Sequence, residues 1–335
     1  MSILQNEKSC LVIGAGIAGL LAARTLQEHG LRVTVLDKGR GVGGRMATRR
    51  IGSAVFDHGA QFFTARDPQF DTLVSAWQRA EVAQEWCRGF AGPEGVAPGD
   101  GHPRYRGAAG MTAVPKYLAQ GLEVLLGQHV TSAEAQADRW IVRTDQGTTF
   151  TSGVLLLTAP VPQSLAILEA GSAELSSVTR TALEAIRYDP CIALMVQPKE
   201  SCVPAPGGMQ LPGEPISWIG DNRQKGISPP AAVTLHAGAE FSRTHWDSDD
   251  HAIVSALLSA AAAWISEPIS DAQIHRWRFA KPAVLYPDAC LAAAEPLPVV
   301  FAGDAFGIPR VEGAALSGLA AASAILTILG VRGSR

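Results

Sequence analysis

Gly14-Ala15-Gly16-Ile17-Ala18-Gly19 is the stretch on which the reading of this 335-residue chain turns. Cys10–Ile13 before it is a short apolar run, and Leu20–Gln27 after it is rich in Leu and Ala at helical spacing. Gly30 stops that helix, and Arg32–Leu36 reads as a β-branched strand. Strand, tight turn, helix and strand make a βαβ unit. In such a unit Gly14 permits the turn, Gly16 lets backbone approach a pyrophosphate, and Gly19 lets helix and strand pack closely. Ala15 and Ala18 complete the turn, and the N–H groups of the first helical turn face the phosphates. Asp37, eighteen residues past Gly19, ends the second strand, where its carboxylate accepts hydrogen bonds from a ribose; Lys38 follows it. The pattern specifies a dinucleotide without separating FAD from NAD.

Two further motifs make that separation. Gly41-Val42-Gly43-Gly44-Arg45 follows at once: its glycines let a loop crowd the diphosphate, and Arg45 is a forked, permanently charged donor. Nearly 290 residues after the first motif, Phe301-Ala302-Gly303-Asp304-Ala305 reads as a buried strand that delivers Asp304. Val311-Glu312-Gly313-Ala314-Ala315-Leu316-Ser317-Gly318 then opens a long helix. Together these motifs resemble those of flavoproteins of the amine-oxidase superfamily. In that superfamily the acid at the place of Asp304 contacts the ribityl–phosphate chain. The helix that Val311 and Gly313 begin points at the pyrimidine end of the flavin, where negative charge appears on reduction. Asp57–Phe63 resembles the segment lying beside the flavin ring, which adds Gln61 and Phe62 to the cofactor set. Val130 sits where these folds place a backbone contact to adenine.

The resemblance implies an α/β, p-hydroxybenzoate-hydroxylase-like flavoprotein: a Rossmann-type FAD domain with an inserted α+β substrate domain. The expected FAD-binding domain comprises residues 1–75, 105–162 and 285–335, and the substrate domain 76–104 and 163–284. Short strands at Glu123–Leu126, Val130–Ala133, Arg139–Thr144, Thr148–Phe150 and Val154–Thr158 are followed by helix over 163–185. Cys191–Val196, Ile216–Gly220 and Val233–Ala237 read as a second sheet, Ala252–Ile265 as a helix, and Gly89–Pro103 as a Pro/Gly-rich loop.

Over its whole length the chain is similar to the bacterial renalases, through Asp57–Phe63, Asp221-Asn222-Arg223, His236, His275-Arg276-Trp277-Arg278 and Gly303–Gly318. That resemblance implies an FAD-dependent oxidase that converts 1,2- or 1,6-dihydro isomers of NAD(P)H to NAD(P)+, with O2 reduced to H2O2. The expected substrate residues are Asn222, His236 and Trp277, with Arg223 or Arg278 as phosphate contacts. Each also has a plain structural reading: Trp277 as a core aromatic, His236 as a satisfied strand histidine, the arginines as solvated. Two alternatives stay open, a flavin amine oxidase acting on a small amine and a flavin-binding redox module without turnover. Against the amine oxidase, the position two residues before Glu312-Gly313, a cage tyrosine in many amine oxidases, is Arg310, which repels a cationic amine.

Composition narrows the remaining classes. A net charge of −3 with no long basic run argues against a nucleic-acid partner. The five cysteines are scattered without a metal-ligand spacing, so no metal is expected and the thiols read as reduced and mostly buried. Cys290 lacks the Gly-rich context of a flavin tether, so the FAD is expected to be non-covalent. The uncharged span Ala314–Val331 reaches membrane-helix length but is dominated by Ala, so a buried helix, no membrane partner and a cytoplasmic location are expected.

Overall fold

The computed structural model describes residues 8–92, 95–96, 101–211, 213–266 and 268–331. It divides into two compact units, both assembled from separated stretches of chain. One comprises Met1–Gly44, Pro115–Arg187 and Pro282–Arg335; the other comprises Arg45–Val114 and Tyr188–Lys281.

The first unit is built on a six-stranded sheet in the order Leu291–Ala293, Val299–Phe301, Val154–Leu157, Ser9–Ile13, Arg32–Asp37, Glu123–Leu126. All pairings are parallel except that of Leu291–Ala293. Ser9–Ile13, Val154–Leu157 and Val299–Phe301 are buried at every position, so they read as continuous apolar runs rather than alternating ones. The helix Ile17–Glu28 follows the glycine turn, and Val130–Gln136, Arg139–Thr144 and Thr149–Ser152 form a separate antiparallel sheet. The expected helix over 163–185 is two helices, Val161–Ala170 and Ser177–Glu184. Gly171 lies against the Ala133 carbonyl, and Ser176 caps the second helix by accepting from the Thr179 N–H.

The final helix Val311–Ile328 is long and apolar enough to cross a membrane by length and composition, and half of it is buried inside the protein. It packs along Ile17–Glu28: a Cβ on Gly318 would overlap the carbonyl of Ala18. Such backbone-to-backbone contact leaves no room for any side chain.

The second unit carries a seven-stranded sheet, in order Ile269–Val284, Arg187–Pro198, Val233–Ala237, Ile216–Asp221, Gly208–Gln210, Ala91–Gly92, Gly95–Val96. Helix Asp250–Ala260, shorter than expected from sequence, packs Ile253 and Leu257 against Ile192, Leu194, Val196, Ile219 and Leu235. The hairpin Thr48–Ile51 with Ala54–Asp57 and the antiparallel pair Ala83–Cys87 with Arg104–Gly107 complete it. Residues 45–75 and 105–114, grouped by sequence with the flavin half, cluster with this second unit, and 163–187 cluster with the first. The reason for the former is a buried polar network on Asp57, described below. Part of the Gly89–Pro103 loop lies outside the described residues.

Candidate active site

In the first unit the two glycine motifs are stacked backbone on backbone. Gly14 adopts a φ of +115° and donates its N–H to the Leu36 carbonyl at 2.8 Å, which ties the turn to the second strand. Thr158 Oγ1 donates to the carbonyls of Ile13 and Gly14, both at 3.0 Å. A Cβ on Gly19 would overlap the Gly14 carbonyl, whereas one on Gly16 would meet nothing within 4 Å. The loop of the second motif closes over this turn: Gly43 donates to the Ala15 carbonyl at 2.8 Å, and a Cβ on Gly44 would lie 3.7 Å from Gly16 Cα. Gly16 is also the N-cap of Ile17–Glu28 without a side-chain cap, so the first-turn N–H groups have no side-chain partner there. An uncapped helix start beside open space and glycine backbone fits the diphosphate of a dinucleotide.

Asp37 ends the second strand, as expected, and both of its oxygens are also engaged within the unit. Its Oδ2 accepts from the Ala15 N–H at 2.7 Å and its Oδ1 from the Gly39 N–H at 2.6 Å. The carboxylate therefore holds the glycine turn in shape, and each oxygen keeps a second lone pair for a ribose hydroxyl. Lys38 is exposed, with Nζ 3.4 Å from Gln163 Oε1. Val130 is buried at the start of its strand. Gly303, φ +134°, donates to Ser317 Oγ at 2.8 Å, and half-buried Asp304 follows it. Val311 opens the last helix after Arg310, an exposed N-cap with no side-chain cap, and Gly313 packs directly on the Ile308 carbonyl.

In the second unit the organising residue is Asp57. It and Lys225 are both fully buried, with Nζ 2.6 Å from Oδ2. Burial pulls the Lys225 ammonium below its ordinary range, and the Asp57 carboxylate opposes that shift. Asp57 Oδ1 accepts from Thr48 Oγ1 at 2.5 Å and from the Met111 N–H at 2.8 Å. Its carbonyl accepts from Gln61 Nε2 at 2.6 Å and Thr234 Oγ1 at 3.0 Å, and its N–H donates to Asn222 Oδ1 at 3.3 Å. One buried ion pair thus fixes the 57–61 turn onto the sheet.

That turn presents His58 to the strand Ile269–Val284. The His58 ring stacks on Trp277 at 5.3 Å and 16° and meets His275 edge-on at 4.8 Å, while Trp277 Nε1 donates to the His58 carbonyl at 2.8 Å. His236 Nε2 lies 3.4 Å from Gln61 Nε2. Burial lowers the His58 imidazole to about 3, helped by His275, Arg49 and His236 nearby. His236 falls to about 4, mainly by burial, against a hydrogen bond to the His58 backbone. His275 falls to about 4 through burial and the Arg49 charge. At neutral pH the cluster is three uncharged imidazoles around one indole.

These depressed values predict a pH dependence. The unfolded chain titrates its histidines near 6.5, so between about pH 6.5 and 4 it holds more protons than the folded protein. Stability is full above pH 6.5 and falls as the pH drops toward 4. Urea midpoints across that range should decline with a slope of up to three protons. A slope near zero between pH 6.5 and 4.5 would overturn the assignment of neutral histidines.

Strand alternation sorts the remaining candidates. His275 and Trp277 share one face of their strand, rings 4.2 Å apart, whereas Arg276 and Arg278 point to the other. There Arg276 pairs with Asp250 at 2.7 Å, and Arg278 lies 4.8 Å over the Trp246 ring. Arg278 therefore lies on the strand face opposite Trp277. Arg223 is exposed. Asn222 is fully buried; its Oδ1 accepts from the Asp57 N–H and its Nδ2 donates to the Ala232 carbonyl and Thr234 Oγ1, so its amide supports the Asp57 turn. Arg45 spends Nη1 on the carbonyls of Phe279 and Ala280 at 3.4 Å. Phe62 is half-buried against Phe90 and Trp218. The buried pair Asp57–Lys225, and His58 and His275 as ring partners, were not singled out from sequence. The H-R-W-R-F alternation of rings and charges was the available signal for the last of these.

Residues 12–77 match the NAD(P)-binding Rossmann-like domain, and residues 75–326 match the flavin containing amine oxidoreductase model. Renalase of Mus musculus is 29% identical over 193 residues, 55% of this chain and 56% of that protein, so the match spans about half of the relative's length. Putrescine oxidase of Kocuria rosea is 38% identical over 68 residues, 20% of this chain and 14% of that protein. A solved structure of an engineered triple mutant of putrescine oxidase superposes with a TM-score of 0.72 at 15% identity, covering 96% of this chain and 99% of that one. This likeness shows the fold, a Rossmann-type FAD-binding domain with an inserted substrate domain, as in the p-hydroxybenzoate-hydroxylase-like flavoproteins. With one family model covering well over half of its length, the chain belongs to the flavin containing amine oxidoreductase family.

Proposed function

We propose that this protein is an FAD-dependent oxidase that takes a hydride from the 1,2- or 1,6-dihydro isomers of NAD(P)H and uses O2 as the final acceptor. The observation that carries the reading is the neutral His58–His236–His275–Trp277 cluster and the state of its nearest acid. The carboxylate that anchors the cluster, Asp57, is already neutralised by Lys225. A cationic amine gains no counter-ion there, whereas a dihydropyridine is uncharged and already a strong hydride donor. Such a substrate needs positioning more than a base. The half-buried Trp277 indole is held by its bond to His58 and offers a face for stacking, and His236 offers a neutral hydrogen-bonding nitrogen.

When bound, the flavin supplies the electron acceptor; the hydride and one solvent proton together reduce O2 to H2O2. The residues around Gly14–Gly19 and Gly41–Gly44 would hold its diphosphate. We read the FAD as non-covalent: burial and Asp288 both push the half-buried Cys290 thiol up, away from the reactive thiolate.

A second reading, an amine oxidase, is favoured by the comparisons at least as strongly, through the family model and the putrescine oxidase relatives. The deciding experiment is anaerobic mixing of the purified flavoprotein with borohydride-made dihydronicotinamide isomers while following the flavin absorbance. Bleaching by a minor isomer, with 1,4-NADH and simple amines inert, is expected. Bleaching by an amine alone gives the second reading, and a flavin that no donor reduces indicates a binding module without turnover.

A further inference from the structure

We propose that Arg49, together with His275, His58 and Trp277, forms an anion subsite beside an aromatic platform, built to take the phosphate of a nucleotide-type ligand. Arg49 lies in the strand Thr48–Ile51, paired through its backbone with Ala54–Asp57, and is half-buried, yet among the described residues its guanidinium makes no hydrogen bond or ion pair. Other arginines of this unit are engaged: Arg88 with Glu85, Arg243 with Asp189, Arg276 with Asp250. A partly desolvated guanidinium with five unspent donors is costly to keep, and it matches the geometry of a phosphate.

Its surroundings point the same way. Arg49 pairs in register with Phe56, and the His58 N–H donates to the Ala47 carbonyl at 3.4 Å, so the Arg49 strand runs beside His58, whose ring lies 4.8 Å from that of His275; the Arg49 charge lowers both imidazoles. His58 Nδ1 is buried without a hydrogen-bond partner, on a residue only 5% exposed. Trp277 is stacked on His58 and anchored through its Nε1, so its half-buried ring is a fixed surface. Among the described residues, no carboxylate forms a hydrogen bond or ion pair with any of these four side chains, so the Arg49 charge has no counter-ion there. An anion would supply Arg49 with its missing partner and give the neutral imidazoles an acceptor. Phosphate joined to an aromatic ring satisfies charge and platform together.

The identity of the ligand as the dinucleotide substrate rests on the function proposed above; the anion chemistry does not. The same chemistry could be offered by the diphosphate of FAD, so the test uses the FAD-loaded protein. Inorganic pyrophosphate is titrated into wild type, Arg49→Met and Arg49→Lys, following the histidine ring resonances by NMR and the thermal midpoint. In wild type the His58 and His275 signals should shift and their titration should move to higher pH. Arg49→Met should weaken pyrophosphate about tenfold or more, with Arg49→Lys in between because it keeps the charge and loses the fork. In turnover, Arg49→Met should raise KM about tenfold for the dinucleotide isomers, leave kcat within twofold, and leave a phosphate-free N-methyl dihydronicotinamide unaffected.

Unchanged pyrophosphate affinity in Arg49→Met overturns the proposal. So does binding seen only after flavin removal, which would assign the anion site to the cofactor. If no dihydronicotinamide reduces the wild-type flavin, the functional reading fails, and the pyrophosphate titration still decides the subsite.

Discussion

Lys225→Met is expected to destabilise this protein by about 3–5 kcal/mol, the cost of leaving one member of a fully buried ion pair without its partner. The methionine fills a similar volume, so the loss reports charge rather than a cavity. Asp57 would keep its bonds from Thr48 and Met111 but lose the cation 2.6 Å from Oδ2. The double variant Asp57→Asn/Lys225→Met removes the stranded charge and should recover a clear part of the loss. Urea denaturation at neutral pH measures both. A single-variant loss below about 1 kcal/mol would mean that Asp57 is held by its neutral hydrogen bonds, and that the ion pair is incidental. The expectation matters for function because Asp57 also fixes Gln61, Thr234 and the turn that presents His58.

Gly318→Ala has the second large expected effect. Its methyl would overlap the Ala18 carbonyl, and neither helix can move a backbone oxygen aside as it could a flexible side chain. Val311–Ile328 and Ile17–Glu28 must then separate, at a cost of about 1–3 kcal/mol for overpacking. Because Gly16 caps Ile17–Glu28, the displacement reaches the diphosphate cradle. The variant should therefore retain less FAD through gel filtration, read as the ratio of flavin to protein absorbance. Ser323→Ala, exposed on the same helix, should match wild type within about 0.5 kcal/mol and stay fully yellow. A Gly318→Ala protein with wild-type stability and flavin content would refute the close helix contact.

Much of the first unit was legible in the sequence because its determinants are local. The Gly14–Gly19 turn, the strand on each side and the helix after it follow from glycine conformational freedom and apolar periodicity over about 30 residues. Cys10–Ile13 differs by one residue from the observed Ser9–Ile13, and Glu123–Leu126 and Arg139–Thr144 coincide with observed strands. The apolar stretch at the C-terminal end was legible as a helix but not in its placement. Composition alone does not place the helix, and only the structure sets Gly318 against Ala18, a contact 300 residues apart in the chain.

The second unit was read less well, for the same reason in reverse. Ile269–Val284 is a 16-residue strand whose pattern is half-buried along most of its length, so no apolar run announces it. Its His275 and Trp277 matter because His58, from a hairpin over 200 residues earlier, stacks on them. Asn222 stands out in the sequence by resemblance alone, and its amide is a buried support because the sheet brings Asp57, Ala232 and Thr234 around it. Arg49 carried no signal at all in the sequence. A guanidinium is ordinary on a strand, and only the tertiary structure leaves this one half-buried, with no counter-ion among the described residues, on the strand that runs beside His58. By itself, then, the sequence determined the dinucleotide-binding βαβ unit, whose physics is local. Which charges are paired, which imidazoles are neutral and which buried polar atoms keep no partner among the described residues depended on long-range packing, and only the tertiary structure decided them.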